Sequence, residues 1–408
     1  MKRIIVCMDG TWQSLNQPRL TNIGIIARSV AHKETREDGS TVQQTVIYTH
    51  GVGSSMGALA RRGFFGSLSY AINRLGGGAF GEGLEDGILD TYLRLAFDYE
   101  DGDEIYIFGF SRGAFAARRL AGLINTAGIV SRRFTEKARD AFRLYYSAPG
   151  DDESDEKKRE HAEKAAQFRC DYGKGTRNPD GTRRATSEPP PIKYIGVFDT
   201  VAQRGLAEVI ASMTPWVEPA RYSFVNNRIG ANVENARHAV AIDEARIGFP
   251  AALWEDLDEG NKRLGRRGYE QRWFVGTHGD IGGGESNVAL SASALKWIAE
   301  GAIAAGLRFY ATHGDDESPL SQTLREAGYE SPITRPPFAK AWMPIHYPFR
   351  TRRIWREREK PTRVEAEFLL DEGVFKRATA PKLRPRYSPS PLRPFRNVLK
   401  EWEKERGA

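Results

Sequence analysis

The chain has 408 residues, 40% of them hydrophobic and 28% charged, with a formal net charge of +7. That is enough to build one large core or two smaller ones, and no run of about 18 apolar residues is present to cross a bilayer as a helix. Two cysteines, Cys7 and Cys170, make neither a disulfide framework nor a metal cluster, which fits synthesis in a reducing cytoplasm.

Met1-Lys2-Arg3-Ile4-Ile5-Val6-Cys7-Met8-Asp9 opens with a basic pair, but its apolar stretch is five residues long and ends in an acid. It reads as a first strand, Ile4–Met8, and not as a signal peptide. The next residues, Asp9-Gly10-Thr11-Trp12, are similar to the loop of phosphatases that carry Asp-x-Asp-x-Thr. There the first Asp attacks; here Cys7 holds that position, so the attacking carboxylate is missing. The loop is better placed to offer backbone N–H groups. Further strands are expected at Thr45–Tyr48, Ile105–Phe108, Tyr194–Phe198 and Trp273–Val275, short apolar runs that end at Gly, Asp or His. Leu84, Ile88, Tyr92 and Leu95 recur at helical spacing on one face. This alternation predicts a doubly wound, mostly parallel α/β sheet with helices on both faces. Ligands of such sheets bind beyond the carboxyl ends of the strands.

The strand Glu104-Ile105-Tyr106-Ile107-Phe108 leads into Gly109-Phe110-Ser111-Arg112-Gly113 and then a helical stretch, Ala114–Ile124. A Gly-x-Ser-x-Gly at a strand-to-helix turn is the nucleophile elbow of α/β-hydrolases. Side chains at 109 and 113 would collide with the neighbouring strand and helix, and the helix N-terminus favours developing negative charge. Ser111 is therefore the candidate nucleophile. A backbone N–H from Gly10 or Thr11 would join that of Arg112 in an oxyanion hole, with Asp9 ordering the loop.

Such a serine needs an acid and then a base later in the chain. Of seven histidines, His32 and His161 lie in charged helical surroundings, His50 precedes the serine, and His313 sits in a polar turn. His278 follows the strand Arg272–Val275 in a glycine-rich loop, Gly276-Thr277-His278-Gly279-Asp280-Ile281-Gly282-Gly283-Gly284, whose small neighbours let a base approach Oγ. It is the favoured base, with His238 and His346 as competitors. Asp199 ends the strand Tyr194–Phe198 and suits the acid, which fixes the imidazole tautomer; Asp280 and Asp243 compete, and Asp280 is also a candidate supporting residue.

Two segments interrupt the alternation. Residues 149–191 are highly polar and read as a charged surface helix and loop inserted in a core spanning 1–306. Residues 307–408 gain prolines and basic-aromatic clusters and read as a C-terminal cap or appendage. From Lys376 onward there are ten Lys and Arg against three Glu, a net +7 equal to the excess of the whole chain. An anionic partner would explain this, and an anionic membrane suits it better than nucleic acid, for which no fold signature accompanies the charge. Trp342, Tyr347, Trp355 and Trp402 would suit a head-group boundary. The competing reading packs Leu392, Phe395, Val398, Leu399 and Trp402 onto the core as a final amphipathic helix.

Together, Asp9-Gly10-Thr11-Trp12, Thr21-Asn22-Ile23, Gly51-Val52-Gly53, Gly102–Ala114 with its serine turn, Phe198-Asp199-Thr200-Val201, His238–Glu244 and Gly276–Gly284 resemble, in order, the bacterial and fungal α/β-hydrolase family that includes type VI secretion phospholipase effectors. The resemblance implies an α/β-hydrolase-like fold, a serine hydrolase with Ser111, Asp199 and His278 as its triad, and phospholipid as the leading substrate class. It requires no metal or organic cofactor. It also implies export by a signal-peptide-independent secretion system and, for an effector, an immunity protein as partner. The alternatives are a carboxylesterase acting on soluble esters and, from another class, a non-catalytic adaptor binding anionic surfaces.

Overall fold

A computed structural model of the chain describes residues 1–10, 13–51, 79–150, 152–177, 183–184, 186–201, 227–246, 249–285, 287–313, 316–334, 352–355, 357, 359–381, 383 and 386–407. Thr11, Trp342, His346 and Tyr347 lie outside the described residues.

Seven strands form the main sheet: β1 Lys2–Met8, β2 Lys33–Thr35, β3 Thr41–Thr49, β4 Glu104–Phe110, β5 Ile192–Phe198, β6 Ala236–Ala241 and β7 Tyr269–Phe274. Their order is β2-β3-β1-β4-β5-β6-β7. β2 runs antiparallel to β3, and every other pairing is parallel. The strands form where they do because both faces are covered. Along β1, Ile4, Val6 and Met8 enter one core cluster and Ile5 and Cys7 the other; along β4, Ile105 and Ile107 part from Tyr106 and Phe108 in the same way. A period of two with apolar residues at every position is what burial on both faces demands. β6 has no counterpart among the expected strands.

On the first face, Leu84, Ile88, Tyr92 and Leu95 of α2 (Ala79–Asp98) and Leu120 and Ile124 of α3 (Arg112–Ala127) cover the sheet. The second face is covered by Ile23 and Ile26 of α1 (Asn22–Ser29) and by Ala294, Leu295 and Ile298 of a helix at Ala289–Ala304. The polar helix expected within 149–191 is present at Asp155–Tyr172, with Ala165 its one buried residue. The last part of the chain packs on the β6–β7 end: Val240 and Trp273 meet Ile354, Leu370, Val374, Phe375, Leu392, Phe395 and Val398. The final helix spans Arg396–Gly407. Trp402 and Trp355 stack on Phe375 and Phe395, which directs these two aromatics inward. Among the described residues no helix is long and apolar enough to cross a membrane.

β1 lies between β3, which follows it, and β4, which comes after β3. The chain thus reverses its direction of travel across the sheet at β1, and a crevice opens beyond the carboxyl ends of β1 and β4. The Asp9 loop and Ser111 sit there.

Candidate active site

Ser111 occupies the turn from β4 into α3 with φ 57° and ψ −123°. A serine in that region of backbone space is strained, and surrounding groups hold it. Its amide donates to the Phe198 carbonyl (3.1 Å). A Cβ on Gly109 would come within 2.5 Å of the Gly113 carbonyl oxygen and 2.6 Å of the Ala114 Cα. One on Gly113 would collide with the carbonyl oxygens of Met8 and Asp9. The two glycines let strand, turn and helix close up, as the spacing predicts.

His278 opens the short helix α4 (His278–Gly282), capped by Thr277. Its backbone amide donates to Glu244 Oε2 (3.2 Å), and its ring rests against Phe110 and Phe249, with centroids 4.7 and 5.1 Å away. Nε2 lies 2.8 Å from Ser111 Oγ, and Nδ1 lies 2.6 Å from Asp199 Oδ2. With Nδ1 donating to the carboxylate, Nε2 is left to accept the serine O–H. The chain Ser111–His278–Asp199 is continuous and buried.

Asp199, at φ 38° just past β5, is fully buried. Its Oδ1 accepts the Ala241 amide (2.9 Å) and Arg352 Nη1 (2.5 Å), while Oδ2 accepts Arg352 Nη2 (3.0 Å) as well as His278. Burial works to raise its pKa. The Arg352 charge and the His278 hydrogen bond outweigh it, and the carboxyl sits well below its usual range.

The competing residues are engaged elsewhere. His238 is wholly buried: Nδ1 bonds Gln271 Oε1 (2.9 Å) and Nε2 accepts the Thr200 amide (3.1 Å). Burial, aided by the Arg118 charge, lowers its pKa to about 3, so it is a neutral strut for the turn after Asp199. Asp280 accepts the Thr277 amide and hydroxyl and the Thr334 amide, each at 3.0 Å. Asp243 accepts the Gly276 amide and the Tyr387 hydroxyl, each at 2.8 Å. These bonds brace the loop that carries His278.

At the β1 end, Asp9 accepts from the Thr21 hydroxyl (2.8 Å), the Tyr48 hydroxyl (2.6 Å) and the Gly10 amide (2.7 Å). Burial pushes its pKa up to about 6 against these three donors. The last bond corrects one expectation. The Gly10 N–H, a candidate oxyanion donor, is turned onto the carboxylate beside it, because an Asp side chain readily reaches the backbone of its own turn.

Arg352, Glu244, Phe110 and Phe249 were not singled out from the sequence. No local pattern marks Arg352, one of 60 Lys and Arg and 153 residues beyond Asp199.

Among proteins of known sequence, the chain is 28% identical over 252 residues to the uncharacterized protein YEL023C of Saccharomyces cerevisiae, an alignment covering 61% of this chain and 32% of that one. Among solved structures it is similar to an uncharacterized protein from Pseudomonas aeruginosa (17% identity, TM-score 0.37, 76% of this chain and 46% of that one). It is also similar to the Tle1 effector bound to the VgrG spike of the type VI secretion system (16%, 0.37, 71% and 52%). The chain spans about a third of the yeast protein and about half of each structure. Residues 2–301 match the family model of the catalytic domain of Tle1-like type VI secretion phospholipase effectors, and to that family the chain belongs.

Proposed function

We propose that the protein hydrolyses carboxylic esters of phospholipids through a covalent acyl-enzyme on Ser111. The observation that carries this is the hydrogen-bonded relay: Ser111 Oγ at 2.8 Å from His278 Nε2, and His278 Nδ1 at 2.6 Å from Asp199. His278 takes the serine proton as Oγ attacks the ester carbonyl, and Asp199 stabilises the imidazolium that forms. The oxyanion falls at the N-terminus of α3, where the Arg112 amide and a donor from Thr11 would meet it. His278 then gives its proton to the leaving alcohol, and a water activated by the same imidazole releases the acid. Family membership supports lipid as the acyl donor and export by type VI secretion.

The test is labelling with a fluorophosphonate probe, then turnover on phosphatidylglycerol/phosphatidylethanolamine vesicles and on a short p-nitrophenyl ester. Wild type is expected to label and to turn over both. Ser111→Ala is expected to stay folded and lose labelling and about 10⁴–10⁶ of the rate. Undiminished turnover by folded Ser111→Ala would end the serine reading, and turnover of the soluble ester alone would end the lipid one.

A further inference from the structure

Asp199 is held from outside the part of the chain that matches the family. The matched segment ends at residue 301, whereas the guanidinium across the carboxylate belongs to Arg352. That side chain is buried and makes four hydrogen bonds. Nη1 donates to Asp199 Oδ1 (2.5 Å) and the Ala241 carbonyl (3.0 Å); Nη2 donates to Asp199 Oδ2 (3.0 Å) and the Phe249 carbonyl (2.8 Å). The two carbonyls sit at the end of β6 and beside the His278 ring, so the fork is fixed at both sides.

We infer that Arg352 is a positioning residue for the triad: its bidentate grip sets the plane of the Asp199 carboxylate and presents Oδ2 to His278 Nδ1. This rests on the serine-hydrolase reading above. The physics has two parts. A planar fork against a carboxylate fixes orientation in a way a single donor cannot. A cation against the buried acid also keeps it ionised, as the acceptor of the imidazole N–H. Glu244, which binds the His278 amide and pairs with Arg246 (2.7 Å), and His238, held by Gln271 and Thr200, also border this unit. A plain structural role, in which Arg352 merely fastens the late chain to the core, would move stability alone.

Arg352→Gln and Arg352→Lys in the full chain separate the two. The readouts are thermal melting, fluorophosphonate labelling rate, and kcat and KM on a short p-nitrophenyl ester. Arg352→Gln is expected to lower kcat about 10–100-fold with KM changed less than about twofold, because chemistry and not binding is disturbed. Arg352→Lys keeps the charge and loses the fork, so kcat should fall about 3–10-fold. Folded Arg352→Gln with wild-type kcat overturns the inference, as does a lowered melting temperature with unaltered kinetics. If the Gln variant does not fold, the Lys variant decides: a fall in kcat supports the grip and wild-type kcat overturns it. Wild-type protein that neither labels nor turns over ester would instead remove the serine reading, and this inference with it.

Discussion

The amide of Ser111 donates to the carbonyl of Phe198, the residue just before Asp199 (3.1 Å). The turn that raises Ser111 and the turn that carries Asp199 are therefore one hydrogen-bonded unit across β4 and β5. His278 arrives from β7 and bridges them. Misplacing either turn disturbs both.

That coupling makes the elbow glycines sensitive. Gly113→Ala would push a methyl into the Met8 and Asp9 carbonyls, backbone that cannot swing aside as a side chain would. We expect a loss of about 1–3 kcal/mol from overpacking. We also expect at least about a 10²-fold fall in kcat from displacing Oγ by an ångström or less. Denaturant melts and ester turnover on the same preparation check it; a variant with wild-type kcat would show that the turn tolerates opening.

The two buried histidines should separate cleanly. His278→Ala is expected to fall to the level of Ser111→Ala, and the double variant no further, because the two act together. His238→Ala removes the partner of the Thr200 amide and of Gln271. It should cost about 1–3 kcal/mol of stability through unpaired buried groups and leave most of the activity once folded. Single-turnover labelling rates distinguish the pair; equal loss in both would move the base to His238.

Asp9 gives a pH signature. Its folded pKa of about 6 lies above the ordinary 3.8. Its contribution to stability is thus fully present below the unfolded value and is lost as pH rises through 6. Asp9→Asn does not titrate, so its deficit against wild type should shrink between pH 4 and 7.5, by about 3 kcal/mol for two pKa units. Asp243, also raised by burial to about 6, titrates in the same window in both proteins and cancels. Urea melts at several pH values check this; a deficit that grows with pH would place Asp9 below its ordinary value.

Phe395, at the end of the 3₁₀ turn Ser390–Phe395 that leads into the last helix, tests how the tail packs. It is fully buried among Trp355, Phe375 and Val398, and Phe395→Ala should cost about 3–5 kcal/mol. Soluble-ester and vesicle hydrolysis should then fall together as the protein melts. A selective loss on anionic vesicles, with melting unchanged, would instead support a membrane role for the basic tail.

Much of this was readable from the chain, and the exceptions have physical causes. β1, β4 and β5 announce themselves because burial on both faces leaves no polar position in the run. β6 hides because Arg237 and His238 interrupt it. Arg237 is satisfied only in the fold, by Glu270 (3.1 Å) and the Trp297 carbonyl (2.6 Å), and His238 by Gln271 and Thr200. Ser111 and Asp199 directly follow β4 and β5, and His278 lies in the loop-to-helix turn after β7, so all three fall where the α/β rule looks for a site. Arg352 ends no strand and belongs to no periodic stretch; only tertiary contact gives it meaning. Gly10 departs from expectation for the opposite reason: a contact one residue away competes with the distant one its sequence suggests.

The way the late chain meets β7 has a consequence for solubility. Leu370 forms a parallel bridge with Trp273, and the Asp371 amide donates to the Trp273 carbonyl (2.9 Å). That places backbone against the outer rim of the sheet, where β7 would otherwise show an open row of donors and acceptors to other molecules. At the opposite rim β2 is three residues long and carries Lys33 and Glu34, a poor template for a further strand. The sheet is thus shielded at both rims by different means, and a chain cut back to the family-matched segment would expose the β7 rim to self-association.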